Sequence, residues 1–303
     1  DRPSISIGMG TCGIGNGAEE LYEAFETGLK GKKGGIILRK TGCLGYCSKE
    51  PLVNINIPGQ PLLVLNRVQK KDVNTIIKGI EKGSFPERLI LCKISEWDHH
   101  THHISYGSGY KGVPEWSEVP FFKSQKKIVL RDAGLIDPES IEEYIAVGGY
   151  SAFIKAVTGM SPQDVIGEVK ASGLRGRGGA GFPTGVKWAL MGKESAKKKY
   201  IICNADEGDP GAYMNRNEIE SDPHMIIEGM LIGAYAMGAN EGIIYVRAEY
   251  PLAVERLKKA ISQARQAGFI GKEIPGTNFS FDLTIVEGAG AFVCGEETAL
   301  IAS

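Results

Sequence analysis

The sequence predicts an α/β protein: a small β-α-β-β-β domain over residues 1–83, a linker over 84–118, and a larger parallel-sheet domain over 119–303. Three observations carry this. From residue 200 on, short apolar runs at 200–203, 242–246 and 282–286 alternate with helix-like segments at 223–237 and 251–267, the order of parallel β-α-β units. Each apolar run ends in a polar or glycine-rich cluster, at 204–211, 247–250 and 287–298. Ligands of such sheets sit beyond the carboxyl ends of the strands. The third observation is a glycine-rich stretch, residues 173–188 (GLRGRGGAGFPTGVKW), just before the first of these strands.

That stretch holds glycine at 173, 176, 178, 179, 181 and 185. It has few side chains with which to build a core, and its backbone is free to take positive φ and approach a ligand closely. Successive bare N–H groups form a concavity suited to an anion. Thr184 is expected to cap a helix starting at 186–188, whose positive dipole end points the same way. Arg175, Arg177 and Lys187 add full charges. The ligand this chemistry suits is a phosphate, most naturally that of a nucleotide. Gly176, Gly178 and Gly181 also spell G-x-G-x-x-G, but residues 162–171 before them read as a helix opened by Ser161, not as the strand a dinucleotide fingerprint requires. A plain glycine hinge is the alternative, though a hinge needs neither three cations nor a following helix.

Composition limits the partners. Lys and Arg number 35 against 36 Asp and Glu, which gives no support to a nucleic-acid or anionic-membrane surface. No charged-then-apolar leader opens the chain. The most apolar region, 225–246, carries Glu228, Asn240, Glu241 and several glycines, and reads as a buried helix, turn and strand without direct membrane insertion. Six cysteines without a secretory signal point to a reduced, cytoplasmic setting, where thiols more often hold metal or do redox work than form disulfides.

In the N-terminal domain, strands are expected at 5–7 and 35–39, a helix at 18–29, a hairpin of 52–57 and 61–65 through Pro58-Gly59, and a closing helix at 72–82. Cys12 lies in the first strand-to-helix loop, and Cys43 and Cys47 in the second. Two loops at one end of a small sheet would bring three thiolates together, and thiolates are the usual ligands of iron–sulfur clusters. The order resembles a thioredoxin-like ferredoxin domain, whose [2Fe–2S] pattern pairs C-x4-C with C-x3-C. The second pair is intact, but Ile7 stands where the first cysteine is expected. Three close thiolates repel one another without a metal, so a [2Fe–2S] centre on Cys12, Cys43 and Cys47, completed by a weaker ligand, is the expectation; the alternative is that the cluster is absent and the domain serves packing or docking. The linker holds His99, His100, His102 and His103, which read as a solvated polar loop rather than a metal site.

In the second domain, helices are expected at 138–147, with Asp137 as cap and Pro138 first, and at 150–157. The chain stops at Ser303 just after a helix opens at Glu296, which reads as part of a longer protein.

With its motifs assembled, GLRGRGGAGFPTGVKW (173–188), NADEGDPG (204–211), YVRAEYP (245–251) and GAGAFVCGEETAL (288–300), the second domain resembles the NADH-binding flavin subunit of respiratory complex I. It is still more similar to the homologous subunit of soluble NAD-linked hydrogenases and formate dehydrogenases. The resemblance implies a Rossmann-like domain, incomplete at its C-terminal side, that binds FMN and NAD(P)H in one cleft, in which hydride passes from NADH to the flavin and electrons then leave singly. It implies that Gly176, Arg177, Gly178, Gly179 and Lys187 hold the flavin phosphate. Asn204, Asp206, Glu207 and Gly208 would contact the ribityl chain and ring, with Gly295 and Glu296 nearby. Phe182 would stack on NADH, Glu297 would bind its ribose or amide, and the carboxylates Glu207 and Asp209 would lie nearest the chemistry. Partners implied are a ferredoxin-like small subunit and a larger iron–sulfur or catalytic subunit, and the family's continuation carries a [4Fe–4S] cluster. The chain departs from the pattern at Asp209, where complex I members have Glu, at Leu190, where an aromatic is expected, and at Phe292, where Tyr is frequent. These departures leave NAD against NADP open, as the motifs leave the terminal acceptor open. A docking subunit that keeps the fold without redox cofactors is the alternative function.

Overall fold

The computed structural model describes residues 2–31, 35–98 and 103–303. The chain divides into two compact units: residues 1–138 with 220–222, and residues 139–219 with 223–303.

The first unit runs β1 (Ser4–Gly8), α1 (Thr11–Gly15), α2 (Ala18–Leu29), β2 (Ile37–Thr41), β3 (Val53–Asn56), β4 (Leu62–Leu65), α3 (Val73–Lys82), β5 (Ile90–Ile94), β6 (Glu96–Asp98) and β7 (His103–Ser105). Its sheet has the order β2-β1-β3-β4-β5. β1 pairs parallel with β2 and antiparallel with β3, and β3 turns into β4 antiparallel through Gly59, at φ +81°. This is the thioredoxin-like arrangement that the sequence predicts. β4 shows why the sheet is buried on both sides. Leu63 and Leu65 point into one core with Ile5, Ile7, Phe25 and Ile77, while Leu62 and Val64 point into another with Trp97 and Phe122. The stretch 84–118, expected to be irregular, instead supplies β5 to the edge of this sheet and the β6–β7 hairpin. Cys92 and Ile94 on β5 complete the second core, so burial there outweighs the Pro- and His-rich flanks that read as a linker.

The second unit runs α4 (Ile141–Ala146), α5 (Ser151–Gly159), α6 (Pro162–Ala171), α7 (Thr184–Lys193), β8 (Tyr200–Ala205), α8 (Met214–Ser221), α9 (Pro223–Met237), β9 (Glu241–Arg247), α10 (Pro251–Gln266), β10 (Asp282–Gly288) and α11 (Glu297–Ala302). Its three strands are all parallel, in the order β10-β9-β8. The α9 helix packs on β8 and β9, and α10 on β10. Two β-α-β crossovers that step in one direction place their helices on one face, as right-handed connections require. The region 225–246 is the buried helix, turn and strand expected, and no helix among the described residues is long and apolar enough to cross a membrane. Ser161 opens α6 through a capping box with Asp164, as predicted. The cap of α4 is Ser140, which accepts the Glu143 N–H, and not Asp137: the helix starts three residues later than Pro138 suggests.

Candidate functional site

The glycine stretch closes on itself. The Gly176 N–H donates to Phe182 O at 2.9 Å, the Thr184 N–H to Leu174 O at 2.9 Å, and the Arg175 guanidinium to Gly181 O at 3.0 Å. Arg175 therefore braces the loop from inside, while Arg177 stands exposed at its tip. Gly179 and Gly181 take φ of +103° and +62°, conformations that favour glycine. A Cβ placed on Gly178, Gly179 or Gly181 would meet nothing within 4 Å. The tip thus presents bare backbone to open space. Gly185 has another reason to be glycine, because a Cβ there would stand 2.6 Å from the Lys170 backbone nitrogen and push α7 off α6. Thr184 does not cap α7. The Pro183 carbonyl accepts the N–H groups of Val186 and Lys187, and no side chain takes part.

Four contacts tie the segments after the strands to one another and to α7, the helix that follows this loop. The Asn204 amide donates to Cys294 O at 3.2 Å and Gly295 O at 3.1 Å, joining the end of β8 to the segment after β10. The Arg247 guanidinium, at the end of β9, donates to Glu207 O and pairs with Glu249 at 2.9 Å. Phe292 lies against Gly208, where a Cβ would come within 3.0 Å of its ring. Lys187 on α7 reaches Glu297 on α11, Nζ to Oε2 at 3.0 Å. Predicted site residues from four separate stretches are thereby gathered at the carboxyl end of one parallel sheet. Phe182, Leu190 and Phe292, in these same stretches, are exposed apolar groups. Arg247 and Tyr250, whose hydroxyl donates to Glu207 O at 3.3 Å, belong to this framework too. In the sequence both lie in the YVRAEYP motif at the end of a strand, which assigns neither a role of its own.

The acidic residues divide by environment. Glu207, expected nearest the chemistry, caps α8: its Oε1 accepts the Asn215 N–H at 2.9 Å and its Oε2 the Arg216 N–H at 3.1 Å. Both oxygens are committed to a helix start beyond Pro210, the alternative role that the sequence offers for Glu207 and Asp209 alike. Glu296 likewise caps α11, accepting from the Thr298 and Ala299 N–H groups at 3.1 and 3.0 Å, and these bonds with the Thr298 hydroxyl hold its carboxyl below the usual range. Asp209 stands exposed. Asp206 is buried, and its Oδ2 finds no hydrogen-bond partner among the described residues. Burial pushes its carboxyl up, with Arg247 opposing and Glu249 adding. Glu218 on α8 is pushed up to about 7, first by burial and then by Glu207.

Residues 169–303 match the Complex1_51K family, described as the Nuo51 FMN-binding domain. Among curated relatives, the NADP-reducing hydrogenase subunit HndC of Solidesulfovibrio fructosivorans is 57% identical over 181 residues, 60% of this chain and 36% of that protein. An NADH-quinone oxidoreductase subunit of Escherichia coli (strain K12) is 50% identical over 167 residues, 55% of this chain and 38% of that protein. The chain thus spans well under half of the relatives it matches. A crystal structure of NAD+-reducing [NiFe]-hydrogenase in the air-oxidized state aligns over 99% of this chain and 45% of that one, with TM-score 0.47 and 24% identity.

The residues that match this description fit the FMN it names. The glycine tip is a cradle that side chains would fill, and two buried polar atoms at the ends of β8 and β9, Asp206 Oδ2 and Arg247 Nε, lack partners among the described residues.

An iron–sulfur cluster on Cys12, Cys43 and Cys47 does not fit the first unit as it stands. Among the described residues, no three of His, Cys, Asp and Glu come together as a group able to hold a metal ion. Cys43 is buried, its thiol donating to Glu50 Oε1 at 3.4 Å and accepting the Gly45 N–H at 3.2 Å. Burial first, then the Glu50 carboxylate, push that thiol up. Cys12 and Cys47 are half-buried. Of the linker histidines, His99, His100 and His102 lie outside the described residues, and His103 faces Glu96 at 3.9 Å.

Proposed function

We propose that residues 139–303 form the FMN- and NAD(P)H-binding part of a flavoprotein oxidoreductase subunit that works within a multisubunit redox complex. The observation that carries this is that the segments after the three parallel strands are tied to one another through Asn204, Arg247 and Phe292, and that Lys187, on the helix following the open glycine tip, reaches Glu297 beyond the last strand. Bound FMN supplies the chemistry of accepting hydride from the nicotinamide and passing on single electrons. This chain's residues supply position and charge. The backbone of Gly176, Gly178 and Gly179, with Arg177 and Lys187, holds the flavin phosphate. Asn204, Asp206 and Gly208 line the ribityl chain and ring, with Gly295 and the helix start at Glu296 closing the far side. Arg247 and the Glu207 cap keep the 204–211 loop in place. Phe182 offers a face for the nicotinamide nucleotide, Glu297 a carboxylate for its ribose or amide, and Asp209 a short acid beside it. No proton transfer by a side chain is required.

Electrons would leave toward iron–sulfur centres, including the [4Fe–4S] cluster of the family's continuation, and toward a ferredoxin-like small subunit and a larger iron–sulfur subunit. The test is the purified full chain mixed with FMN and freed of excess. A flavin spectrum that bleaches anaerobically on adding NADH or NADPH is expected, and the nucleotide that works gives the preference. A chain that retains no flavin would instead be a docking subunit.

A further inference from the structure

The first unit has the thioredoxin-like strand order but not the ligand geometry of a cluster site, and two side chains account for the difference. Ile7 is fully buried on β1, between Lys40 of β2 and Val53 of β3 in register, and packs in the core with Ile5 and Phe25. An alkyl group there cannot coordinate iron. Glu50 sits between the two cysteine-bearing loops. It is buried, its Oε2 accepts the Leu52 N–H at 2.8 Å, and its Oε1 accepts the Cys43 thiol at 3.4 Å. The same carboxylate touches the other loop. A Cβ added to Gly8, at the end of β1, or to Gly13, next to Cys12 on α1, would stand 3.5 Å from Glu50 Oε2. The Gly13 backbone is itself pressed against Gly8, where a Cβ would come 2.2 Å from the Gly8 carbonyl oxygen. The space between the loops is thus filled by protein atoms.

We propose that the first unit is a redox-silent thioredoxin-like domain in which Glu50 takes the space between the two cysteine loops and holds Cys43 as a hydrogen-bonded thiol. A buried carboxylate is tolerated only where hydrogen bonds meet it, and here the Leu52 N–H and the Cys43 S–H do so. Removing either side of such a pair leaves the other unsatisfied, which makes the two residues energetically coupled. The neighbouring cation does not undo this arrangement. Lys127 donates to Leu44 O at 2.8 Å and lies over the Phe122 ring. The unit then contributes packing, and electrons from the flavin site of the second unit take a route that bypasses it. That last clause rests on the flavin reading; the thiol–carboxylate pair does not.

Two measurements on the full chain test the proposal. The first is iron and acid-labile sulfide per chain after anaerobic reconstitution with ferrous iron and sulfide, with electron paramagnetic resonance after dithionite reduction. No stoichiometric iron and no reduced-cluster signal are expected, whether or not the chain carries flavin. Two irons per chain, lost in Cys43→Ser or Cys47→Ser, would overturn the proposal. The second is a double-mutant cycle in melting temperature over Cys43→Ala, Glu50→Gln and the double variant. The double variant is expected to lose less than the two single losses added together. Strictly additive losses would mean that the pair does not hold the loops.

Discussion

Lys187 and Glu297, 110 positions apart in the chain, meet at 3.0 Å across the mouth of the strand ends, both with more than half of their side-chain surface in water. An exposed pair of this kind contributes about 0–1 kcal/mol, so stability does not explain it. Its effect is to set α7 and α11 facing each other with opposite charges, one suited to a phosphate and the other to a ribose or amide. Lys187→Ala should therefore leave the melting temperature nearly unchanged. It should weaken FMN binding about 10- to 100-fold, as the loss of a charge-assisted bond does. Glu297→Gln should leave FMN content intact and raise the KM for NADH. Titration calorimetry with FMN, and steady-state kinetics of the flavin-loaded chain, separate the two. Equal effects of both variants on FMN would break the assignment.

Gly178 and Gly185 belong to one glycine run but owe their identity to different causes. A Cβ at Gly178 meets nothing in the chain, so Gly178→Val should fold with an unchanged melting temperature and yet fail to retain FMN. Gly185→Ala drives a methyl into Lys170, and should cost about 1–3 kcal/mol of stability. Thermal unfolding and flavin content of the purified variants read both. A Gly178→Val chain that copurifies with full FMN would remove the phosphate from this loop.

Glu207 is a helix cap, and its substitution should look like one. Glu207→Ala leaves the N–H groups of Asn215 and Arg216 unpaired and should cost about 1 kcal/mol. Any fall in turnover should track the loss of FMN from a loosened 204–211 loop. The rate of flavin bleaching per bound FMN, measured by stopped flow, should stay within about threefold of the parent, a barrier change of roughly 0.7 kcal/mol. A drop of a thousandfold at full flavin occupancy would restore Glu207 to the chemistry.

Phe182 is about half exposed beside the loop, and a ring there is free to stack on an incoming planar group. Phe182→Ala should raise the KM for NADH with flavin content and melting temperature unchanged. If FMN were lost instead, the ring would belong to the flavin pocket.

The sheet of the second unit was legible because its three strands are separate apolar runs, each closed by a polar cluster, and such alternation has few other readings. The glycine run was legible for the same reason: six glycines among cations leave little but a ligand loop. What the sequence hid were matters of partnership. Nothing in NADEGDPG says which carboxylate turns back to cap a helix seven residues on, because α8 (MNRNEIES) has little apolar periodicity of its own. Glu207 and Asp209 therefore looked alike, although one is buried in a cap and the other exposed. The linker reading failed at β5, where a five-residue edge strand is held by its neighbour and core rather than by local preference. Cys43 read as a ligand from its spacing to Cys47, while the residue that engages it, Glu50, lies outside any cysteine pattern.

His224 gives the second unit a stability that depends on pH. It is almost fully buried, with Nδ1 at 2.9 Å from the Tyr150 hydroxyl and Nε2 at 3.0 Å from Gln263 Oε1. A neutral ring satisfies both contacts, donating from Nε2 to the Gln263 carbonyl and accepting from Tyr150 at Nδ1. Burial lowers its pKa to about 4, with the Gln263 bond and then Glu142 acting in the opposite sense. Above pH 6.5 the ring is neutral both folded and unfolded, and the full contribution is present. As pH falls below 6.5 the unfolded chain takes up a proton that the folded chain refuses, and stability declines until about pH 4, by about 3 kcal/mol in total. His224→Gln removes that proton uptake. Carboxylates elsewhere titrate in the same window in both proteins, so the informative quantity is the difference between parent and variant. The variant should be less stable than the parent at pH 8, having lost a buried ring and its contacts, and the gap should narrow steadily from pH 6.5 to pH 4. Urea unfolding at half-unit steps of pH, with the midpoint and slope fitted at each, measures it. A gap that stays constant over that range would mean that His224 is as free to protonate in the folded chain as in the unfolded one.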